Sequence, residues 1–204
     1  ATKQIEGSIG IQGDVSDPKK CLTAINQIES KFGRLDILVC NVGNGSLLNR
    51  EEGSPEDWQF FLSSNLTPAT NTIWAATDLL SKTGGVVICV TSICGVEALG
   101  CPSPYAASKA AVESFVKNSS RKLGKMGVRI NSIAPGNIIF SGSVWEEKIR
   151  EDRNSVEKLL AEQVPLGRLG TPDDVANVAA FLASSISSFI TGATIIVDGG
   201  QTRS

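Results

Sequence analysis

Residues 84–92 read GGVVICVTS: a glycine pair, an apolar run and a terminal hydroxyl pair. A run that is continuously apolar rather than alternating is the mark of a strand buried on both faces of a parallel sheet. LDILVCN (35–41) has the same character, VRINSIAPG (128–136) is a strand ending in a turn, and ATIIVDGG (193–200) closes the chain with a strand and a glycine turn. The strand-like SIGIQGD (8–14) stands ahead of them all.

Between these runs the spacing turns helical. After residue 14, Ser16 or Asp17 can cap a helix with Pro18 in its first turn; Cys21, Leu22, Ile25, Ile28 and Phe32 recur on one face, and Gly33 ends it. Pro55 opens a helix through Asp57, Phe61 and Asn65, with a break near Pro68 and a further helical stretch to Leu80. A helix over 105–123 carries Lys and Arg at its far end. Segment 143–162, charged and amphipathic, reads equally as a solvated helix face or as a mobile cover over a site. Thr171-Pro172-Asp173-Asp174 is a strong helix start. Strands alternating with helices, without linker or repeat, make one α/β domain over residues 1–204 built on a doubly wound parallel sheet. In that architecture ligands lie at the carboxyl ends of the strands, here Asp14, Asn41, Ser92, Pro135-Gly136 and Asp198.

Composition narrows the function. The 204 residues are 41% hydrophobic and 20% charged, with 19 basic against 21 acidic side chains. No dense Lys/Arg cluster offers a footprint for nucleic acid. No apolar run approaches the ~18 residues of a membrane span, and the N-terminal residues lack the pattern of a secretory signal, so the expected location is cytoplasmic. Histidine is absent, which excludes a His-based triad and any His-ligated metal site; no metal is expected. The five cysteines, Cys21, Cys40, Cys89, Cys94 and Cys101, show no CxxC spacing and are expected as buried free thiols.

The single tyrosine, Tyr105, is followed four residues later by Lys109, so both side chains share one helix face. A neighbouring ammonium favours the phenolate and is expected to draw the phenol below its usual ~10, toward the range of a general acid/base. Ser92, at a strand end thirteen residues earlier, is placed to hydrogen-bond the same substrate oxygen, although strand-end serines are common.

Thr91-Ser92, Tyr105-Ala106-Ala107-Ser108-Lys109, the run Val128 to Gly136, Ile190-Thr191-Gly192 and Val197-Asp198-Gly199-Gly200 closely resemble the short-chain dehydrogenase/reductases in order and spacing. The resemblance implies a Rossmann-like fold and NAD or NADP as cofactor. It implies Tyr105 as acid/base, Lys109 as its pKa-lowering partner and ribose contact, and Ser92 as the group that polarises the substrate oxygen. It makes Asn65 the anchor of a proton-relay water, a position that a helix-kink residue bonding backbone would fill equally well. Asp14, with Val15, matches the carboxylate beside the adenine; Asn41-Val42-Gly43 matches the backbone along the cofactor; Pro135, Gly136 and Ile138 lie where the nicotinamide face is supported. Cys40 and Val42 depart from the usual Asn and Ala, and Ser141 is the candidate for a carboxamide contact usually made by Thr.

The family's Gly-rich turn has no counterpart, since Gly7, Gly10 and Gly13 lie in and before a segment matching the third strand. The resemblance therefore implies a strand–helix–strand unit of ~30 residues or more ahead of Ala1, and an incomplete phosphate site within these 204 residues. The implied activity is interconversion of a secondary alcohol and a ketone on a 3-oxoacyl, sugar, polyol or steroid-like small molecule. Residues 137–165, with Phe140, Val144 and Trp145, would cover the substrate. A catalytically silent structural or interaction protein keeping the fold is the alternative. Family assembly implies a homotetramer, or else a dimer, through helices 55–80 and 105–123, the latter offering Ala110, Ala111, Ser114 and Phe115.

Overall fold

The computed structural model describes residues 6–45 and 53–203. Four parallel strands form one sheet in the order β1 (Ile37–Cys40), β2 (Val86–Val90), β3 (Arg129–Pro135) and β4 (Thr194–Val197). In register, Cys40 faces Cys89, Cys89 faces Ser132, and Ser132 faces Thr194. Helices α1 (Pro18–Phe32), α3 (Thr67–Ser81) and α4 (Ser103–Lys125) pack on one face; α7 (Pro172–Ala183) packs on the other. The pleat of β2 divides its side chains between the two layers: Val87 and Cys89 join Ile73, Leu80, Val112 and Val116, whereas Val86 and Ile88 join Ile133 and Leu182. Burial on both faces explains why this strand reads as an unbroken apolar run.

The local signals hold where they are chemical. The Asp17 side chain accepts the Lys19 N–H, Pro18 occupies the first turn of α1, and Gly33 ends it in the left-handed region at φ 70°. Thr171 and Asp174 form a capping box at the start of α7, and Arg168 grips the Asp174 carboxylate at 2.7 and 2.9 Å. These bonds hold Asp174 well below the usual carboxylate range.

Several expectations need correction. Residues 8–14 are not a strand, because no neighbouring strand offers them a ladder among the described residues. Strand β1 is covered on one face only: Ile37 and Val39 are about half exposed, at 46% and 49%, because α7 sits over β2, β3 and β4 and leaves this edge open. On α1, Cys21 and Ile25 are buried and Ile28 packs on the core, but Leu22 and Phe32 are exposed. The break expected near Pro68 lies just before it, as a π-helical turn Leu62–Leu66 between α2 (Pro55–Phe61) and α3. Segment 143–162 is two helices, α5 (Val144–Glu151) and α6 (Arg153–Gln163), because Asp152 turns to φ −151° and caps α6 with its own carboxylate.

Candidate active site

At the carboxyl end of β2 the chain turns into a short 3-10 turn, Ile93–Gly95, capped by Ser92, whose Oγ accepts the Cys94 N–H at 3.2 Å. Gly95 is required here: a Cβ would lie 2.7 Å from the Ala110 backbone nitrogen, so only glycine lets this turn rest on α4. That contact sets Ser92 against the first turns of α4, where the Ser92 hydroxyl and the Tyr105 phenol border the same cavity and Ser92 favours the phenolate. Phe61 packs edge-on against the Tyr105 ring, with centroids 5.9 Å apart.

Lys109 lies one helical turn behind. Its side chain is buried, its Nζ is 5.8 Å from the Tyr105 ring centroid, and it donates to the Val90 carbonyl at 3.4 Å. Burial lowers its pKa from 10.5 to about 8, against the smaller opposing pull of Glu113. Tyr105 itself moves upward, because burial outweighs the opposing influence of Ser92. The expected fall in the phenol's pKa is thus reversed in the protein alone: desolvation of the phenolate dominates over a cation that is itself reluctant to stay charged.

Asn65 stands in the π-helical turn. Its Nδ2 donates to the Phe61 carbonyl at 3.1 Å and to the Asn44 carbonyl at 3.2 Å, while its Oδ1 accepts the Asn44 N–H at 3.0 Å. The side chain thus bonds the kinked helix and straps the loop after β1 to it. Gly43 passes so close that a Cβ would meet Asn65 Oδ1 at 2.7 Å and Lys109 Nζ at 3.0 Å. Asn65, Gly43, Lys109, Tyr105 and Ser92 therefore form one continuous cluster.

A cavity of about 730 Å³ opens over Ser92 and Tyr105, and Gly43, Gly136 and Ile138 line it as well. Gly136 is required by packing, since a Cβ would lie 2.8 Å from the Asp198 Cβ. The other candidate cofactor residues lie apart. Val15 and Val42 line a separate cleft of about 110 Å³ beside Cys40. Asp14 is exposed and accepts from the Ser16 N–H and hydroxyl, which lower its pKa. Asn41 and Ser141 are exposed and Pro135 is half-buried at the end of β3; none of the three borders the larger cavity.

Two features escaped the sequence reading. Cys94 and Cys101 are joined in a disulfide across the loop between Ser92 and Tyr105, so only Cys21, Cys40 and Cys89 are free, and Cys40 is half-buried. The short loop returns residue 101 to residue 94, which spacing alone does not reveal. Glu113 sits next along the face of Tyr105 and Lys109; burial pushes its carboxyl up against the opposing influence of Thr91 and of the Lys109 charge, and its Oε1 has no partner. The four-residue spacing that joined Tyr105 to Lys109 continues to Glu113 and would have found it.

The geometry defines an α/β protein with a tyrosine–serine–lysine site at the strand ends, and comparison with known proteins agrees. The family model described as enoyl-(acyl carrier protein) reductase matches residues 1–202. A cyclohexanol dehydrogenase of Rhodococcus sp. is 37% identical over 210 aligned positions, covering 97% of this chain and 74% of the relative. A short-chain type dehydrogenase/reductase from Mycobacterium ulcerans superposes with a TM-score of 0.83 at 28% identity, covering 92% of this chain and 68% of the other. L-sorbose reductase from Gluconobacter frateurii, solved with NADPH and L-sorbose, gives 0.86 at 28% identity, with 95% and 76% covered. The chain belongs to the short-chain dehydrogenase/reductase family, a family of oxidoreductases.

Proposed function

We propose that the chain works as an NAD(P)(H)-dependent oxidoreductase interconverting a secondary alcohol and a ketone. The observation that carries this reading is the Tyr105 phenol and the Ser92 hydroxyl together on the wall of one cavity, with the Lys109 ammonium 5.8 Å from the centre of the tyrosine ring. The residues present suit the nicotinamide end of a dinucleotide: Gly43 leaves the approach to Lys109 clear where any side chain would close it, and Gly136 and Ile138 border the same space. The bound dinucleotide supplies or accepts the hydride.

In reduction, Tyr105 donates its proton to the carbonyl oxygen, and in oxidation it takes the proton from the alcohol. A phenol held above its usual value is protonated at neutral pH, which suits the reductive direction. Ser92 donates to the same oxygen and fixes its position. Lys109 favours negative charge on Tyr105 only while protonated, and it contacts the ribose. Asn65 acts through the relay proposed for its position and through its hold on the Asn44 backbone. Asp14, Val15, Asn41, Val42 and Pro135 are proposed to follow the remainder of the dinucleotide.

Residues 1–204 are proposed as one domain with 137–165 as the cover over a small-molecule substrate, in keeping with the position of Phe140, Val144 and Trp145 on the cavity. A homotetramer, with a dimer as second choice, is supported by Trp74 standing 60% exposed on α3 and by Ser114 exposed on α4, although Phe115 leans partly into the core. A monomer mass in light scattering at micromolar concentration would refute the assembly. No described helix is long and apolar enough to cross a membrane. The proposed location is the cytoplasm, where the thiol pool would hold Cys94 and Cys101 reduced.

The test of the activity is Tyr105→Phe in the full-length protein. Ketone-dependent oxidation of the reduced dinucleotide should fall ~10²–10⁴-fold, with little change in the KM for dinucleotide. Unchanged turnover would refute the assignment.

A further inference from the structure

The cavity over Ser92 and Tyr105 carries more information than its floor. Its outer wall is apolar, built from Ile93 and Leu99 on one side and Phe140, Val144 and Trp145 on the other. Among the described residues that line the cavity, Lys148 of α5 is the one charged side chain, and none is a carboxylate. The Lys148 Nζ lies 4.5 Å from the centroid of the Trp145 ring, so the indole face steadies the ammonium at the cavity. The carboxylates nearest in sequence are engaged elsewhere: Glu147 pairs with Arg150, and Glu146 accepts the Gly142 N–H at 2.7 Å. Lys148 makes no ion pair among the described residues.

Two amides add to this. Gln201, only 9% exposed, lines the same cavity with its Oε1 lacking a partner, and Asn137 lines it with its Nδ2 buried and equally unanswered. Buried polar atoms without partners are costly: an anionic acceptor would answer the Asn137 Nδ2 donor and the ammonium, whereas the Gln201 Oε1 calls for a donor such as the substrate's hydroxyl.

We infer that the substrate of this site is a ketone or secondary alcohol on an apolar ring or chain that also bears an anionic group, and that Lys148 is the specificity-determining residue that receives the anion. The inference rests on the oxidoreductase reading above. The anion is either a carboxylate of the substrate itself or a phosphate on a thioester carrier, and Lys148 answers both with the same charge-assisted hydrogen bond.

Two matched pairs of ketones test it: 4-oxocyclohexanecarboxylate against its methyl ester, and a 3-oxoacyl thioester of coenzyme A against that of N-acetylcysteamine. The charged member of one pair should show a kcat/KM about tenfold or more above its neutral partner, as a hydrogen bond to a charged group implies, and the pair that shows it identifies the source of the anion. In Lys148→Met that ratio should collapse toward one, in Lys148→Glu it should invert, and Lys148→Arg should retain it. A ratio near one in both pairs for the unaltered enzyme, or a preference that persists in Lys148→Met, overturns the inference and leaves the oxidoreductase reading standing. Failure to reduce any of the four ketones overturns that reading, and the inference falls with it.

Discussion

Replacing Lys109 by Met should stabilise the protein near neutral pH while removing its activity. Lys109 is 8% exposed, and burial brings its pKa from 10.5 down to about 8. That difference amounts to roughly 3 kcal/mol spent on keeping a charge in the interior. Below pH 8 both folded and unfolded chains hold the proton, so the folded state bears the whole cost. Between pH 8 and 10.5 the unfolded chain holds more protons than the folded one, and stability rises with pH; above 10.5 neither is charged and the cost is gone. Cys89 would favour the protonated lysine only as a thiolate, and its hydrogen bond with Cys40 together with burial keeps it a thiol. Methionine fills a similar volume without charge. Glu113 loses a neighbouring cation in the exchange, so the expected net gain at pH 7 is about 1–2 kcal/mol rather than the full amount. Urea unfolding followed by tryptophan fluorescence, without dinucleotide so that ligand linkage does not enter, should show the variant ahead at pH 7 and the two proteins converging toward pH 10.5. A variant less stable than the parent at pH 7, or a difference that does not change with pH, would refute the reasoning.

Arg129 donates to the carbonyls of Leu182, Ser184 and Ile190 and to the Ser187 hydroxyl, tying the end of α7 to β3. Arg129→Met should therefore cost about 2–4 kcal/mol by leaving several acceptors without a donor, read as a drop in the urea midpoint; a change under ~0.5 kcal/mol would contradict it. Gly43→Ala forces a methyl to 2.7 Å from Asn65 Oδ1 and 3.0 Å from Lys109 Nζ. Turnover should fall at least about tenfold with overpacking costing about 1–3 kcal/mol, and wild-type kinetics in that variant would show that the loop yields freely. Opening the Cys94–Cys101 bridge, which closes a sequence separation of seven, should lower stability by at most about 2.5 kcal/mol on the chain-entropy account. Dithiothreitol should then lower the melting temperature of the parent but not of Cys94→Ser/Cys101→Ser, and equal responses would count against the bridge.

What the sequence made legible is what short-range chemistry decides. The caps at Asp17 and Thr171, the stop at Gly33 and the shared face of Tyr105 and Lys109 each depend on residues within a turn or two, and each stands in the structure. The strands were legible because parallel packing demands continuous apolar runs, but the exposure of Ile37 and Val39 was not. A strand's sequence states what it can bury, not which neighbour reaches it. The kink at Asn65 was legible as a break in the helix, but its π form was not: it accommodates the bond from Asn65 Nδ2 to the Phe61 carbonyl and the strap to Asn44, a partner 21 residues away. The direction of the Tyr105 shift is a competition between burial and charge, and only the depth of the site decides it.

The departures from ordinary local rules converge in one place. A helix gains a π turn at Asn65, a lysine is buried at 109, a glycine at 43 has no room for a methyl group, and a carboxylate oxygen of Glu113 is left without a partner. Each is unfavourable alone, and none is needed to close the core formed by Val87, Ile130 and their neighbours. Natural sequences keep such features where function requires them and compensate elsewhere. All four lie around Lys109, which Gly43 approaches from the end of β1 and Val90 from the end of β2. The structure therefore places its conformational cost around Lys109, while Lys148, Gln201 and the apolar wall border the cavity that Tyr105 faces. Substitutions around Lys109 should change turnover for every substrate alike, and substitutions on the cavity wall should change which substrate is taken.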